Sequence, residues 1–293
     1  MEQPHYETAW RGEAILGECP QWAPDENALY WVDHFGHTFN RFDPASGTNR
    51  AWPMPSAIGS FVFRRSGGFV IAMHTGIYFF DSRTDTLTRW HVPPYDPTWI
   101  MFNDGRCDRR GRYWVGTRQL PNAPLPPGSA ALYRLDERGL VKQFDGVTAA
   151  NGIAWSPDDK VMYMADRANR RIAAYDYDIE TGTASNPRTF ATVEVEHIPD
   201  GATVVAEGCY WSAQIGLGAL VRYRPDGRVE RKVEAPAPMA AMMAFGGPAL
   251  DQMYVSSGRY TLSPAQIEAA PLAGSLFRFD PGAKGLPESP FAG

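Results

Sequence analysis

Cysteine is scarce in this chain. Three residues of 293, Cys19, Cys107 and Cys209, make an odd number with no Cys-x-x-Cys spacing, which argues against a disulfide framework and a zinc knuckle. Buried free thiols are the expectation. Long apolar runs are missing too: the longest, Ala235–Leu250, is broken by three prolines and a Gly-Gly pair and is too short to cross a bilayer. The first twenty residues lack a basic segment followed by an apolar one, so no secretory signal is read there. A cytoplasmic protein without a membrane partner is expected. Lys and Arg total 28 against 33 Asp and Glu, and they are scattered singly. Binding to a phosphate backbone needs basic clustering, so nucleic acid is not expected as a partner. Two catalytic signatures are absent as well, H-E-x-x-H and G-x-S-x-G. Helical periodicity is confined to Ser263–Ala270.

What is present is a repeat of the length, about 40 residues, that marks propellers and solenoids. Its copies start near Glu18, Ile58, Phe102, Ala150, Pro199 and Met242. Each alternates apolar and polar positions, is rich in β-branched and aromatic residues, and turns on Gly, Asp, Asn or Pro, which together read as four short antiparallel strands. Six such units predict an all-β chain folded as a six-bladed β-propeller, one domain over residues 1–293. The segment His5–Gly17 precedes the first full unit and is expected to close the last blade. A two-sheet sandwich is the alternative, but it does not require this period.

Aligned on the aromatic second strand, the residue some 11 to 13 positions upstream is Glu18, Asn103, Asn151 or Asp200 in four units. In the second unit it is Gly59 and in the sixth Met243. That position opens the innermost strand, so these side chains should converge at the mouth of the central channel. Two carboxylates and two carboxamides make the oxygen-rich set that hard or borderline divalent cations prefer. A buried carboxylate such as Glu18 is costly unless a cation or an arginine balances it. Glycines follow Asn103-Asp104, Asn151 and Asp200 closely, which permits tight turns at the axis. The third and sixth units also carry long insertions of the kind that form binding loops. His37, His74, Arg118, Gln119, Arg167, Gln214 and Arg259 lie in the loops of that face and are candidates for substrate contact.

The stretches LGECPQW from Leu16, FNDGRCDRRGRYWVGT from Phe102, NGIAWSPDDKVMYMAD from Asn151 and PDGATVVAEGCYW from Pro199 resemble the senescence-marker-protein (regucalcin), gluconolactonase and luciferin-regenerating-enzyme family. The resemblance runs from about Gly17 to Asp280. It implies a propeller with one divalent metal, calcium, zinc, manganese or iron, held by Glu18, Asn151 and Asp200. It also implies hydrolysis of an aldonolactone and a substrate contact from Asn103. The arginine that the family often carries two residues before that asparagine is Met101 here, which points to a smaller or deoxygenated sugar.

Chemistry gives the same expectation. A metal polarises a lactone carbonyl and makes a neighbouring water more acidic, Asp200 is the expected general base, and Asn103 is the expected donor to the oxyanion or to a ring hydroxyl. Glu18 and Asn151 serve as ligands. Met101, Arg118, Gln119 and His74 are assigned to the substrate. The expected partner is a sugar lactone, and the expected protein is a monomeric carboxylic-ester hydrolase of sugar oxidation. The competing expectations are a calcium-responsive regulator or scaffold without catalysis, and a hydrolase of another ester or an organophosphate.

Overall fold

The computed structural model describes residues 1–216 and 218–293. It is a six-bladed β-propeller of six four-stranded antiparallel sheets. The innermost strands are Gly17–Ala23, Ile58–Phe63, Ile100–Cys107, Ala150–Trp155, Ile198–Val204 and Ala240–Gly246. Burial falls from axis to rim. Every residue of Ala150–Trp155 is buried, whereas the rim strand Thr86–His91 is mostly exposed. An inner strand is covered on both faces and reads as a continuous apolar run, while a rim strand has one wet face and alternates.

The core lies in the seams between blades. Trp22 stacks on Tyr254 at 5.7 Å, Phe39 meets Phe61 at 4.9 Å, and Tyr163 meets Tyr210 at 5.2 Å, each pair joining two blades. Trp31, Trp114 and Trp211, the aromatics used to align the repeat, are fully buried there. Such rings bring the largest buried areas of any side chain, which explains why the second strand carries the clearest repeat signal.

The ring closes without a covalent link. Glu7–Trp10 adds as the outer strand to Leu276–Phe279, pairing Glu7 with Arg278 and Thr8 with Phe277. Beyond it, residues 281–293 run across the face opposite the site. Gly285 bridges Val205, Phe291 bridges Arg64, and Glu288 meets buried Arg106 at 3.4 Å. The one helix among the described residues is α1 (Pro264–Ala269), in the sixth insertion, with Ser263 as N-cap and a full capping box.

Candidate active site

All six inner strands carry a one-residue bulge close to the position singled out by the repeat. The register shifts fall between Glu18 and Gln21, Ile58 and Ser60, Phe102 and Gly105, Asn151 and Ala154, Pro199 and Ala202, and Ala240 and Met242. A bulge re-aims a side chain and leaves backbone groups without ladder partners. Here the bulge turns Glu18, Asn103, Asn151 and Asp200 into one cavity. In the sixth blade the extra residue is Ala241, so Met243 is not the equivalent residue. Met243 packs, fully buried, in the seam with the fifth blade; the sixth hairpin is two residues longer than the third, Ala244 pairing with Tyr254 where Arg106 pairs with Trp114, and this displaces the count from the aromatic strand.

Neighbouring blades satisfy the displaced backbone groups. Ser60 donates to the Asn103 carbonyl at 2.8 Å, Tyr210 donates to the Gly152 carbonyl at 2.8 Å, and the Asp104 carboxylate accepts from the Ile153 amide at 3.1 Å. Buried backbone groups need such partners, so these bonds lock the donors in place. Gly152 has φ +57 and Cys19 has φ 50, the left-handed turn that follows a donor. Gly201 serves differently: a Cβ there would lie 2.3 Å from Met242 Cγ.

The cavity holds about 140 Å³, with the four donors together with Arg118 and Arg167 on its polar side. Leu16, Ile198, Ile215 and Met239 form its apolar wall, and Tyr260 and Thr261 from the sixth insertion cover it. The Tyr260 ring leans on Phe35 at 4.5 Å. An apolar wall facing a few converging polar groups is the usual make-up of a small-molecule site.

Electrostatically, the carboxylates strain against one another. Burial lifts the Glu18 carboxyl well above its ordinary value, and the charges of Asp200 and Asp104 lift it further. Burial raises Asp200 to about 6, against the pull of Arg167. Asp104, 7% exposed, has one oxygen with no hydrogen-bond partner. Asn103 donates its amide to the Ala150 carbonyl at 3.0 Å and to Asn151 Oδ1, which fixes the Asn151 amide with its oxygen as acceptor. Among the described residues no three His, Cys, Asp or Glu side chains are arranged as a metal centre, so a cation here depends on the Asn151 amide oxygen as third donor. Two mutually repelling carboxylates and an oriented amide oxygen suit a hard divalent cation.

The other predicted contacts divide. Arg118 and Arg167 line the cavity. Gln119 sits just outside it and braces the third insertion, donating to the Pro126 carbonyl at 2.9 Å and accepting from the Gly128 amide at 3.1 Å. Met101, 1% exposed, and His74, whose Nε2 lies 2.5 Å from the Pro97 carbonyl oxygen, are not in the cavity wall. Gln214 is buried on the Tyr223 hydroxyl at 2.7 Å, Arg259 is tied to the Ala273 carbonyl at 2.8 Å, and His37 is exposed. Sequence reasoning missed Asp104 as a charge beside the donors and missed Tyr260 and Thr261 as the cover. The first adjoins Asn103 in sequence and was readable there. The cover follows only from where the insertion folds.

Comparison with known proteins agrees with this architecture. Residues 16–259 match the family model described as the SMP-30/Gluconolactonase/LRE-like region. A 6-deoxy-6-sulfogluconolactonase of Pseudomonas putida is 35% identical over 97% of both chains. Regucalcin of Gallus gallus is 34% identical over 95% of each. The crystal structure of a calcium-binding protein, regucalcin, from Agrobacterium tumefaciens superposes with a TM-score of 0.93 at 25% identity, covering 99% of this chain and 98% of that one. With a match over most of its length and the donor-lined channel of a six-bladed propeller, the chain belongs to the SMP-30/gluconolactonase/LRE-like family.

Proposed function

We propose that this protein hydrolyses a sugar-acid lactone to the free acid with a divalent metal held by Glu18, Asn151 and Asp200. The observation that carries the reading is the convergence of these three side chains and Asn103, from three blades besides the first donor's own, on one partly apolar cavity. Relatives named as a sulfogluconolactonase and as regucalcin support it.

A divalent cation supplies two services to ester hydrolysis, polarisation of the carbonyl and acidification of a nearby water. The chain's own groups supply the rest. Asp200, a carboxylate facing the cavity, accepts the proton of the attacking water through its oxygen not engaged with the cation. Among the described residues no group donates a hydrogen bond to its carboxylate, so the oxygens are open to that proton. Water adds to the lactone carbonyl carbon, the ring C–O bond breaks, and the proton held on Asp200 passes to the departing ring oxygen. Asn103 holds Asn151 in orientation. Because both its N–H groups are engaged, donation to a developing oxyanion requires it to release one of them. The apolar wall of Leu16, Ile198, Ile215 and Met239 excludes water from the side of the ring away from the donors.

This reading places the enzyme after oxidation of an aldose to its lactone, as a monomeric cytoplasmic protein. Acid release from aldonolactones by chelator-treated protein, with single divalent metals added back, tests it. Turnover that vanishes and returns with metal is expected, and full turnover after chelation sinks the metal-dependent reading. The name of the Agrobacterium neighbour favours one other reading, calcium binding without catalysis, for which calorimetric calcium titration beside the same assay would show tight binding with no acid released.

A further inference from the structure

Two cations without acids of their own stand where the cavity opens. Arg118 leaves the second strand of the third blade and Arg167 follows the second strand of the fourth. They flank one residue: Arg118 forms a backbone bridge with Ala149, and the Arg167 amide donates to the Ala149 carbonyl at 3.3 Å. Both line the donor cavity and also the open shelf above it, which runs on past Gln119 and Thr148.

Elsewhere in the fold four buried or half-buried arginines have acidic partners, and half-buried Arg64, which has none among the described residues, packs over the Phe79 ring at 4.1 Å, away from any donor cavity. Arg106 pairs with Glu288, Arg112 with Asp108, Arg134 with Asp136 and Arg222 with Glu230. Among the described residues Arg118 and Arg167 make no ion pair, and Arg118 Nε is buried without any hydrogen-bond partner. A guanidinium taken out of water and left unpaired is unfavourable. Burial and the neighbouring Arg167 both disfavour the charge on Arg118. The nearby negative charges, Glu18 and Asp200, are the ones a bound divalent cation balances, and once balanced they leave the two guanidiniums uncompensated. Planar N–H donors arranged in this way match the oxygens of an anion.

We propose that the lactone this chain hydrolyses bears an anionic group, a carboxylate or sulfonate, at the end of the sugar away from the lactone carbonyl, and that Arg118 and Arg167 bind that group. The inference rests on the lactonase reading and narrows its substrate class. It assigns a role to the two arginines that neither metal binding nor proton transfer uses.

Matched lactones test it: glucono-1,4-lactone is neutral, and glucaro-1,4-lactone carries a free carboxylate. In metal-loaded protein the anionic lactone is expected to have the higher kcat/KM by about tenfold or more, as one charge-assisted hydrogen bond supplies. That ratio should shrink in Arg118→Met and in Arg167→Met, and also as salt screens the charges. A ratio at or below one, or a ratio that survives both substitutions, overturns the proposal and leaves the lactonase reading standing. Hydrolysis of neither lactone with any divalent metal removes the lactonase reading instead. Calorimetric titration of metal-free protein with glucarate and with the neutral alditol glucitol then decides the anion site by itself. Tighter binding of glucarate, lost in the two variants, supports it, and equal affinity or no binding of either overturns it.

Discussion

Met101 and Arg118 are directly paired across the two innermost strands of the third blade, yet Met101 is sealed at 1% exposure while Arg118 lines the cavity. A charge at position 101 would therefore be buried beneath an unpaired arginine. Met101→Arg is expected to lower stability by about 3 kcal/mol or more, as an uncompensated buried charge does, whereas Met101→Leu costs under about 1.5 kcal/mol. Urea unfolding measures both. A stable Met101→Arg protein whose main change is in KM would show that position 101 does meet the substrate.

Asn103 and Asn151 act as one unit through the hydrogen bond between their side chains. Losing an outer partner of a metal ligand commonly costs 10- to 100-fold in metal affinity. Asn103→Ala should lose roughly that much affinity, and it should lose far less when Asn151 is already Ala. Metal titrations across the double-mutant cycle check this, and strictly additive losses would separate the two asparagines.

Without a cation the buried acidic pair opposes folding, and on the proposed metal-dependent reading a bound divalent cation reverses that. Asp200→Asn removes one of two repelling buried carboxylates, so it should raise the thermal stability of chelator-treated protein, by about 1 kcal/mol. It should also abolish the stabilisation that added metal gives the unaltered protein by linkage. Glu18→Gln should behave in the same way, and both variants should lose lactone turnover. Melting curves with and without metal read the stability effects, and a variant that loses apo stability while keeping the metal response contradicts this account.

His34 sets an acid limit. Burial first, then the charges of Arg118, His37 and His74, lower its pKa from 6.5 to about 3, and its Nε2 has no partner. The unfolded chain therefore binds a proton that the folded protein refuses between those values. Stability is unaffected by His34 above pH 6.5 and falls as pH drops through the window from 6.5 to about 3, with a slope near 1.4 kcal/mol per pH unit at most. The difference in unfolding free energy between the wild type and His34→Gln, followed from pH 8 to pH 4, should show that slope. A pH-independent difference would mean that His34 is protonated in the fold.

Two glycines should respond in opposite degree to the same substitution. A Cβ at Gly59 would lie 2.6 Å from the Phe102 backbone, where nothing can swing aside, whereas at Gly47, φ +70, it meets nothing within 4 Å. Gly59→Ala should cost about 2–3 kcal/mol through backbone displacement, and Gly47→Ala only about 1 kcal/mol of conformational strain. Denaturant midpoints compare them. Equal costs would mean that the approach of the second and third blades at the axis is not tight.

The repeat, the all-β class and the convergence of Glu18, Asn103, Asn151 and Asp200 on one cavity were legible because they depend on local periodicity. An aromatic second strand must be buried in a seam whatever the neighbouring blade is, so Trp31, Trp114 and Trp211 mark the phase in the sequence itself. The span of α1 was legible for the same reason, since Ser263 and the following Pro264 start a helix through their own backbone chemistry.

What the sequence did not determine was anything that depends on where an irregular segment lands. The sixth-blade equivalent lies at Ala241 rather than Met243 because the sixth hairpin is two residues longer than the third, Ala244 pairing with Tyr254 where Arg106 pairs with Trp114, and a count back from the aromatic strand does not register that. Met101 and Arg118 looked like equal candidates until the fold left the shorter side chain sealed and the longer one reaching the cavity. Tyr260 and Thr261 reached the site only through the path of an insertion. Donor types and repeat phase are properties of single strands, readable one at a time. The closing of the cavity, the isolation of two arginines beside it and the strain between Glu18 and Asp200 arise from distances between blades, and folding alone sets those.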